Sequence, residues 1–118
     1  MVIPAEVDGR AVVKVEGSPY KPILYYSSSV TSVTIPDGVK TIGDWAFYRC
    51  TGLTSVTIPD SVISIGLAAF EFCKGLTSIT IPDSVTTIGN EAFEYCSNLT
   101  SVTIGCLKPR FYFRFTGF

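Results

Sequence analysis

The chain has 118 residues, a mass of 12.8 kDa and a formal charge of −1, which is enough for one small domain. Hydrophobic residues make up 47% of it and charged residues only 16%, a composition that excludes a disordered polar chain. The balanced charge gives no global attraction for nucleic acid or anionic lipid. Histidine is absent, so the commonest general base and metal ligand is missing.

Neither a targeting signal nor a membrane-spanning segment is predicted. The residues after Met1 form neither a basic region nor a long apolar one. Polar residues or prolines interrupt every apolar run well before the ~20 residues that span a bilayer. We therefore expect a soluble chain without a signal peptide, although the mature or excised part of a secreted protein would give the same pattern.

The first 29 residues form an irregular segment that is rich in tyrosine. Its stretch 17–29, GSPYKPILYYSSS, places Tyr20, Tyr25 and Tyr26 between prolines and serines. Tyrosine offers a large contact area at low entropic cost, so these three residues are candidate partner-binding anchors. The alternative is that the same stretch seals the end of the fold.

Residues 30–98 repeat with a period of 23. Cysteine, proline, glycine and phenylalanine each recur at this spacing, as in Cys50, Cys73 and Cys96. A fourth unit begins at Leu99. A fixed period of this length is the signature of a solenoid, in which stacked coils close the core. The complete units are VTSVTIPDGVKTIGDWAFYRCTG (30–52), LTSVTIPDSVISIGLAAFEFCKG (53–75) and LTSITIPDSVTTIGNEAFEYCSN (76–98).

Within one unit the hydrophobic spacing changes from that of a strand to that of a helix. Alternation of polar and apolar residues over 55–58 predicts a short strand. Pro59 ends it, because proline has no N–H for a sheet ladder. Ala69, Phe70 and Cys73 then recur at one-turn spacing, which predicts a short helical or 3₁₀ segment.

The consensus L-T-S-[VI]-T-I-P-D-S-V-x-x-I-G-x-x-A-F-x-x-C resembles the BspA-like leucine-rich repeats of bacterial surface proteins and some parasitic protists. The resemblance covers residues 30–104 closely. It implies an α/β repeat solenoid: a short coil stack with a parallel β-sheet on the concave face and short helical or 3₁₀ segments on the other. Residues 1–118 would form one leucine-rich-repeat domain, with an irregular N-terminal cap over 1–29 and a partial repeat and cap strand over 99–118.

The N-terminal segment departs from the family pattern. Residues 3–9 look like the family's first, degenerate unit. Where the family continues with Ile-Gly and a helix, this chain has Val15-Glu16-Gly17. We expect an irregular coil without a helix there.

Three cysteines share one repeat position and are predicted to form a column of thiols. A disulfide ladder or a soft-metal site would be functional alternatives. An odd column cannot pair completely, however, and three thiols without a histidine or a C-x-x-C pair make a poor zinc site. Buried structural thiols are the favoured interpretation, with Cys106 outside the repeat register.

A column of aspartates follows the proline of each unit. Asp37, Asp60 and Asp83 recur with the 23-residue period. Stacked carboxylates could bind Ca²⁺, but aspartate after proline is also typical of a turn in which the carboxylate accepts backbone hydrogen bonds. The turn is the favoured interpretation, and no metal or cofactor is predicted.

The solvent face of the predicted strands carries a grid of hydroxyl groups. On the concave surface of a leucine-rich repeat this grid is a candidate partner-binding surface. A soluble, β-favouring face without a partner is the simpler alternative, and ordering of ice-like water is another. The grid consists of Ser32, Thr34, Ser55, Thr57, Ser78, Thr80, Ser101 and Thr103.

Trp45 is a further candidate anchor. Its repeat position is Ala68 and Glu91 in the other units, so burial does not dictate a tryptophan there. We expect Trp45 on the convex or lateral surface, where its large ring could bind a partner.

The C-terminal segment 107–118, LKPRFYFRFTGF, alternates aromatic and polar residues and predicts one strand. Phe111, Phe113 and Phe115 would share one face. We expect this strand to cap the last coil. Contact of the basic, aromatic strand with RNA or a membrane surface is an alternative, and so is pairing of its edge with another chain.

The sequence predicts a non-enzymatic protein-binding module. It contains no catalytic residues in a known motif such as G-x-S-x-G, a phosphate loop or H-E-x-x-H. The resemblance implies display on a bacterial cell surface and adhesion to a host or matrix protein, whereas the localisation itself is not predicted. Two alternatives stay open: a small intracellular binder or inhibitor acting through its tyrosines and Trp45, and a repeat protein that self-assembles end to end.

Overall fold

The computed structural model describes residues 30–104 and, as strand backbone, residues 6–7, 10–11 and 14–15. Over residues 30–104 the chain winds into three coils of 23 residues and begins a fourth. Each complete coil has two short strands and a series of turns, so its outline has three sides. The strands are β1 (Glu6–Val7), β2 (Arg10–Ala11), β3 (Lys14–Val15), β4 (Ser32–Thr34), β5 (Thr41–Ile42), β6 (Ser55–Thr57), β7 (Ser64–Ile65), β8 (Ser78–Ile81), β9 (Thr87–Ile88) and β10 (Ser101–Ile104).

The predicted parallel strand pairing is confirmed on one side of the stack, and a second parallel ladder, which the sequence did not predict, lies on another side. On the first side β4 pairs with β6 and β8 pairs with β10, all in parallel. On the second side β3, β5, β7 and β9 form a four-stranded parallel ladder. Within the repeats the paired residues are 23 positions apart, as in Ser32 opposite Ser55. Each side chain therefore lies beside its counterpart in the next coil.

The third side of each coil is a series of turns, so the predicted helical or 3₁₀ segment is not confirmed. These turn segments cover residues 44–49, 67–72 and 90–95. The N–H of Ala46 donates to the carbonyl of Gly43 in its own coil, at 3.3 Å. The N–H groups of Trp45 and Phe47, by contrast, donate to carbonyls in the next coil.

Backbone geometry explains why these turns do not continue as a helix. Trp45 and Arg49 have φ values of 53° and 58°, in the left-handed region that a right-handed helix does not visit. Only alternate N–H groups can then bond within the coil. The others pair with the neighbouring coil, as in the 2.7 Å bond from Phe47 to the carbonyl of Ala69. The turns thus form a third hydrogen-bonded contact between the coils.

The core is a set of apolar columns that run through the stack. Between residues 30 and 104 every buried side chain is hydrophobic. Phe47 stacks on Phe70 with ring centroids 5.2 Å apart, and Phe70 stacks on Phe93 at 5.3 Å. One coil cannot remove these rings from water by itself, so burial of the apolar surface depends on stacking of the coils.

A glycine column allows the coils to approach each other closely. A Cβ on Gly66 would lie 2.8 Å from the backbone carbon of Gly43, and one on Gly89 would lie 2.6 Å from that of Gly66. Real Cβ atoms do not make such contacts with backbone. Beside this column the Asp44 carboxylate accepts a 2.8 Å hydrogen bond from the N–H of Leu67 in the next coil.

The N-terminal segment contributes the first strand of the second ladder. β1 and β2 form an antiparallel pair, and β3 then pairs in parallel with β5. Val15 lies opposite Ile42, so it occupies the position of the repeat isoleucine. Lys14 and Thr41 are 27 positions apart rather than 23, so this strand pair does not follow the repeat spacing. The segment predicted to be an irregular coil thus contains three short strands, and β3 belongs to the second ladder.

Candidate binding surfaces

The predicted hydroxyl grid is exposed on the first ladder of strands. All eight of its Ser and Thr residues are exposed, while the alternate residues Val33, Val56 and Ile79 are buried. Strand register places Ser55 beside Ser32 and Thr103 beside Thr80. The period of two along the strand and the period of 23 along the chain together produce a regular array.

A further column of hydroxyl groups borders the grid. Thr31, Thr54, Thr77 and Thr100 precede the strands, and all four are exposed. The Thr54 hydroxyl donates a 2.9 Å hydrogen bond to the carbonyl of Thr31, and the Thr100 hydroxyl donates a 3.4 Å bond to that of Thr77. This column could have been predicted from the sequence, because the threonine before the serine recurs in every unit. We call the grid and this column together the hydroxyl face.

The hydroxyl face offers hydrogen bonds without charge. Every side chain in it is Ser or Thr, and each hydroxyl group can both donate and accept. The face therefore suits a polar partner that lies flat across several coils. Strong single anchors are not part of it, because large binding contributions usually come from Trp, Tyr and Arg.

The aromatic candidates are not part of this face. Trp45 is half-buried and lies in the first turn segment, on another side of the coil from the strands of the grid. Tyr20, Tyr25 and Tyr26 lie outside the described residues, as do the C-terminal segment and Cys106. The structure therefore supports a separation of the hydroxyl face from Trp45.

The column of thiols is buried and reduced, as the sequence predicted. Cys50, Cys73 and Cys96 are all buried as thiols within the stack. Burial raises the pKa of Cys73 well above its usual range and that of Cys96 to about 12. Since the thiolate is the reactive form, these groups are poor nucleophiles and poor metal ligands.

A cluster of three carboxyl groups lies on the turn side of the second and third coils. Oxygen atoms of Glu71, Glu91 and Glu94 all lie within 4.8 Å of one another. Partial burial, followed by repulsion from the other two carboxylates, raises the pKa of Glu71 from 4.5 to about 7, and attraction to Arg49 opposes this rise. The cluster is an acidic site whose charge changes near neutral pH.

Next to this cluster lies a column of one cation and two aromatic rings. Arg49, Phe72 and Tyr95 occupy one repeat position in successive coils. The Arg49 Cζ lies 4.7 Å from the Phe72 ring centroid, and Phe72 stacks on Tyr95 at 4.7 Å. The sequence analysis did not identify this column, because the residue at this repeat position differs in every unit and is therefore not part of the consensus.

An open groove runs along the second ladder beside the glycine column. Its volume is about 320 Å³, and Thr41, Ser64 and Thr87 supply hydroxyl groups to it. The hydroxyl groups of Ser64 and Thr41 are 3.4 Å apart. Because Gly43, Gly66 and Gly89 have no side chains, a polar depression forms on this side of the stack.

Comparison with known families identifies the repeat. The BspA type leucine rich repeat region matches residues 21–108 in six copies. The chain therefore belongs to the BspA-type leucine-rich repeat family. Comparison with curated proteins finds no match, and the described residues contain no helix of the length and hydrophobicity needed to cross a membrane.

Solved structures of bacterial leucine-rich repeat proteins share the fold. The leucine rich repeat protein of T. pallidum is 28% identical with a TM-score of 0.65, over 86% of this chain and 56% of that one. A leucine rich cell surface protein of Faecalibacterium prausnitzii is 33% identical with a TM-score of 0.59, over 87% and 35% of the two chains. The pneumococcal vaccine antigen PcpA is 25% identical with a TM-score of 0.62, over 87% and 27%. The chain thus spans between 27% and 56% of the length of these relatives.

Proposed function

We propose that the chain is a non-enzymatic protein-binding module that presents its hydroxyl face to a host or matrix protein at a bacterial cell surface. The observation that carries this proposal is the exposed array of Ser and Thr in repeat register on β4, β6, β8 and β10. The F. prausnitzii relative is described as a cell surface protein, which supports the setting.

The rigidity of the stack favours binding through many weak contacts. Backbone pairing and the buried phenylalanine column fix the positions of the hydroxyl groups before a partner arrives. Little conformational entropy is then lost on binding, so several modest hydrogen bonds can add to a useful affinity. The uncharged face also predicts association rates that depend little on salt.

Two lysine substitutions test the hydroxyl face. Thr57→Lys and Thr80→Lys together place two charges in the middle of the grid, whereas Thr87→Lys adds a charge to an exposed threonine on the second ladder. We expect the double variant to lose at least about tenfold in affinity for immobilised fibronectin, laminin or collagen, and the control to bind as the parent does. Equal loss in both, or binding to none of these proteins by the parent, would reject the proposal.

A second candidate is a small binder of one target through Trp45. The observation that favours it is the partial exposure of Trp45 where the next coil has a buried alanine, Ala68, with 1% exposure. If Trp45 is the anchor, Trp45→Ala abolishes partner binding and leaves the circular dichroism spectrum unchanged. Unchanged binding by that variant would leave the hydroxyl face as the candidate to pursue.

A further inference from the structure

Positive charge is concentrated at one pocket on the turn side of the stack. Arg49, Thr51, Phe72 and Lys74 line an open pocket of about 220 Å³, which we call the cation–aromatic pocket. Residues 30–104 contain three cationic side chains and seven acidic ones. Two of the three cations line this pocket, and the third is Lys40. The pocket therefore gathers most of the positive charge of the described stack, and the carboxyl groups of Glu71, Glu91 and Glu94 lie beside it on the turn side.

Aromatic rings hold the guanidinium group of Arg49 in place. Its Cζ lies 4.7 Å from the centroid of the Phe72 ring and 5.5 Å from that of Tyr48. Tyr95 supports Phe72 from the next coil. A stacked guanidinium keeps its plane and its five N–H donors in one orientation, so it can bond a partner's carboxylate in addition to acceptors within the repeats.

The chain's own Glu71 interacts with Arg49, so a carboxylate from a partner would compete with it. Partial burial and the charges of Glu91 and Glu94 raise the pKa of Glu71 to about 7. Glu71 is then protonated about half of the time at neutral pH. An ionised carboxylate from a partner would interact with Arg49 more strongly than this partly neutral group does.

The size and the charge of the pocket select the class of partner. About 220 Å³ is less than the ~300–1,000 Å³ typical of pockets for small molecules, so one or two side chains would fill it. A nucleic acid or a sulfated glycan would need a longer row of cations to offset the acidic residues nearby. A half-buried aromatic ring, Phe72, beside two cations matches a short peptide with acidic and apolar residues.

We propose that the cation–aromatic pocket binds an acidic segment of a partner protein. In this complex an Asp or Glu carboxylate accepts hydrogen bonds from Arg49, and a neighbouring apolar or aromatic side chain packs on Phe72 and Tyr95. Lys74 adds a second attraction at the rim. Arginine and tyrosine are the residue types that most often dominate binding energy at interfaces. This site is separate from the hydroxyl face and does not depend on the function proposed for it.

Selection from a random heptapeptide display library on the full chain tests the proposal. We expect enrichment of peptides with Asp or Glu next to Phe, Tyr or Leu. A fluorescent copy of a selected peptide and its Gln or Asn analogue then give affinities by anisotropy. Replacing the acid in the peptide should weaken binding at least about tenfold, because a hydrogen bond to a charged group is lost.

Substitutions in the chain locate the site. We expect Arg49→Gln to weaken the acidic peptide at least about tenfold, and Arg49→Lys to lose most of that amount because it lacks the planar fork. Lys74→Gln should weaken it by a smaller factor and provides a second test if Arg49 variants unfold. Lys40→Gln removes the same charge away from the pocket and should bind as the parent does.

Several results would overturn the proposal. Enrichment of neutral or basic peptides would do so, and so would equal losses in Arg49→Gln and Lys40→Gln. Heparin binding that depends on Arg49 and outcompetes the peptide would show a polyanion site instead. Thr57→Lys, on the hydroxyl face, should leave peptide binding unchanged, so failure of the function proposed above is distinguishable from failure here.

Discussion

The thiol of Cys73 donates a 3.1 Å hydrogen bond to the carbonyl oxygen of Phe47 in the preceding coil. Cys96 repeats this contact with Phe70 at 3.0 Å. Cys73 and Cys96 thus link the second and third coils to the phenylalanine column of the preceding coil. A sulfhydryl is a weak donor that can be buried at low cost, which suits it to a position where the coils touch through apolar side chains.

Buried thiols should resist modification until the stack opens. In a Cys106→Ser variant we expect Cys50, Cys73 and Cys96 to react with Ellman's reagent at least about 100-fold more slowly than in denaturant, because reaction requires local opening and a thiolate. Absorbance at neutral pH measures the rate. Rapid reaction of any of the three in the folded chain would contradict the burial found here.

The phenylalanine column predicts a large loss of stability when one ring is removed. Phe70 lies between two rings and has no exposed surface, so Phe70→Ala should lower the free energy of unfolding by about 3–5 kcal/mol. Ile63, which is 50% exposed, provides the control. Urea denaturation should show a change below about 1 kcal/mol for Ile63→Ala, and similar losses in both variants would argue against a continuous ring stack.

The close contact at the glycine column predicts that an added Cβ would clash with the neighbouring coil. This steric cost is separate from the cost of placing a non-glycine residue at a positive φ. A Cβ on Gly66 would meet the backbone of Gly43 and Asp44, so we expect Gly66→Ala to cost about 3 kcal/mol through overpacking. Gly38 has a φ of 100° and open space around its Cβ position. Gly38→Ala should therefore cost only the left-handed strain, about 1–2 kcal/mol. Thermal unfolding of both variants compares them, and an unaffected Gly66→Ala would mean that the coils can separate there.

Glu71 predicts a specific dependence of stability on pH. Its pKa is raised from 4.5 to about 7 in the folded chain, so the folded state holds a proton that the unfolded state has lost in this range. The contribution of Glu71 to stability is therefore greatest at low pH and decreases as pH rises from about 4.5 to about 7. Glu71→Gln should remove this decrease in urea unfolding measured at several pH values.

A second substitution separates the causes of this effect. Glu91→Gln removes one repelling charge, so the NMR titration of the Glu71 carboxyl carbon should move to lower pH than in the parent. Partial burial, which is the larger cause, should keep the midpoint above 4.5. A Glu71 midpoint near 4.5 in the parent would contradict the cluster geometry.

The inward residues and the first parallel ladder could be predicted from the sequence, but the second ladder and the turn side could not. Burial of Val56 and Ile58 follows from their alternation with polar residues. The spacing of Ala69, Phe70 and Cys73 fits a helix and also fits turns that face the same core. The choice between them depends on hydrogen bonds to the next coil, such as that from Phe70 to Ala92, which no local spacing reveals.

The hydroxyl grid could be predicted for the same reason as the core. Polar and apolar residues alternate along each strand, so the residues that do not face the core face the solvent. The cation–aromatic pocket could not, because it combines residues that the repeat does not conserve from one coil to the next. Arg49 and Phe72 meet only because one coil brings position 72 beside position 49. These residues form a site only because the coils stack, and a consensus sequence does not show residues that differ from one unit to the next.

The central claim is that the hydroxyl face is the surface that contacts a partner protein. Hydrogen exchange measured by mass spectrometry tests it most directly, with the chain alone and in complex with whichever immobilised matrix protein it binds. The account predicts slower exchange in peptides that contain 55–57 and 78–81, with little change over 64–65 and 87–88. Protection confined to the second ladder or to the turn segments would contradict it.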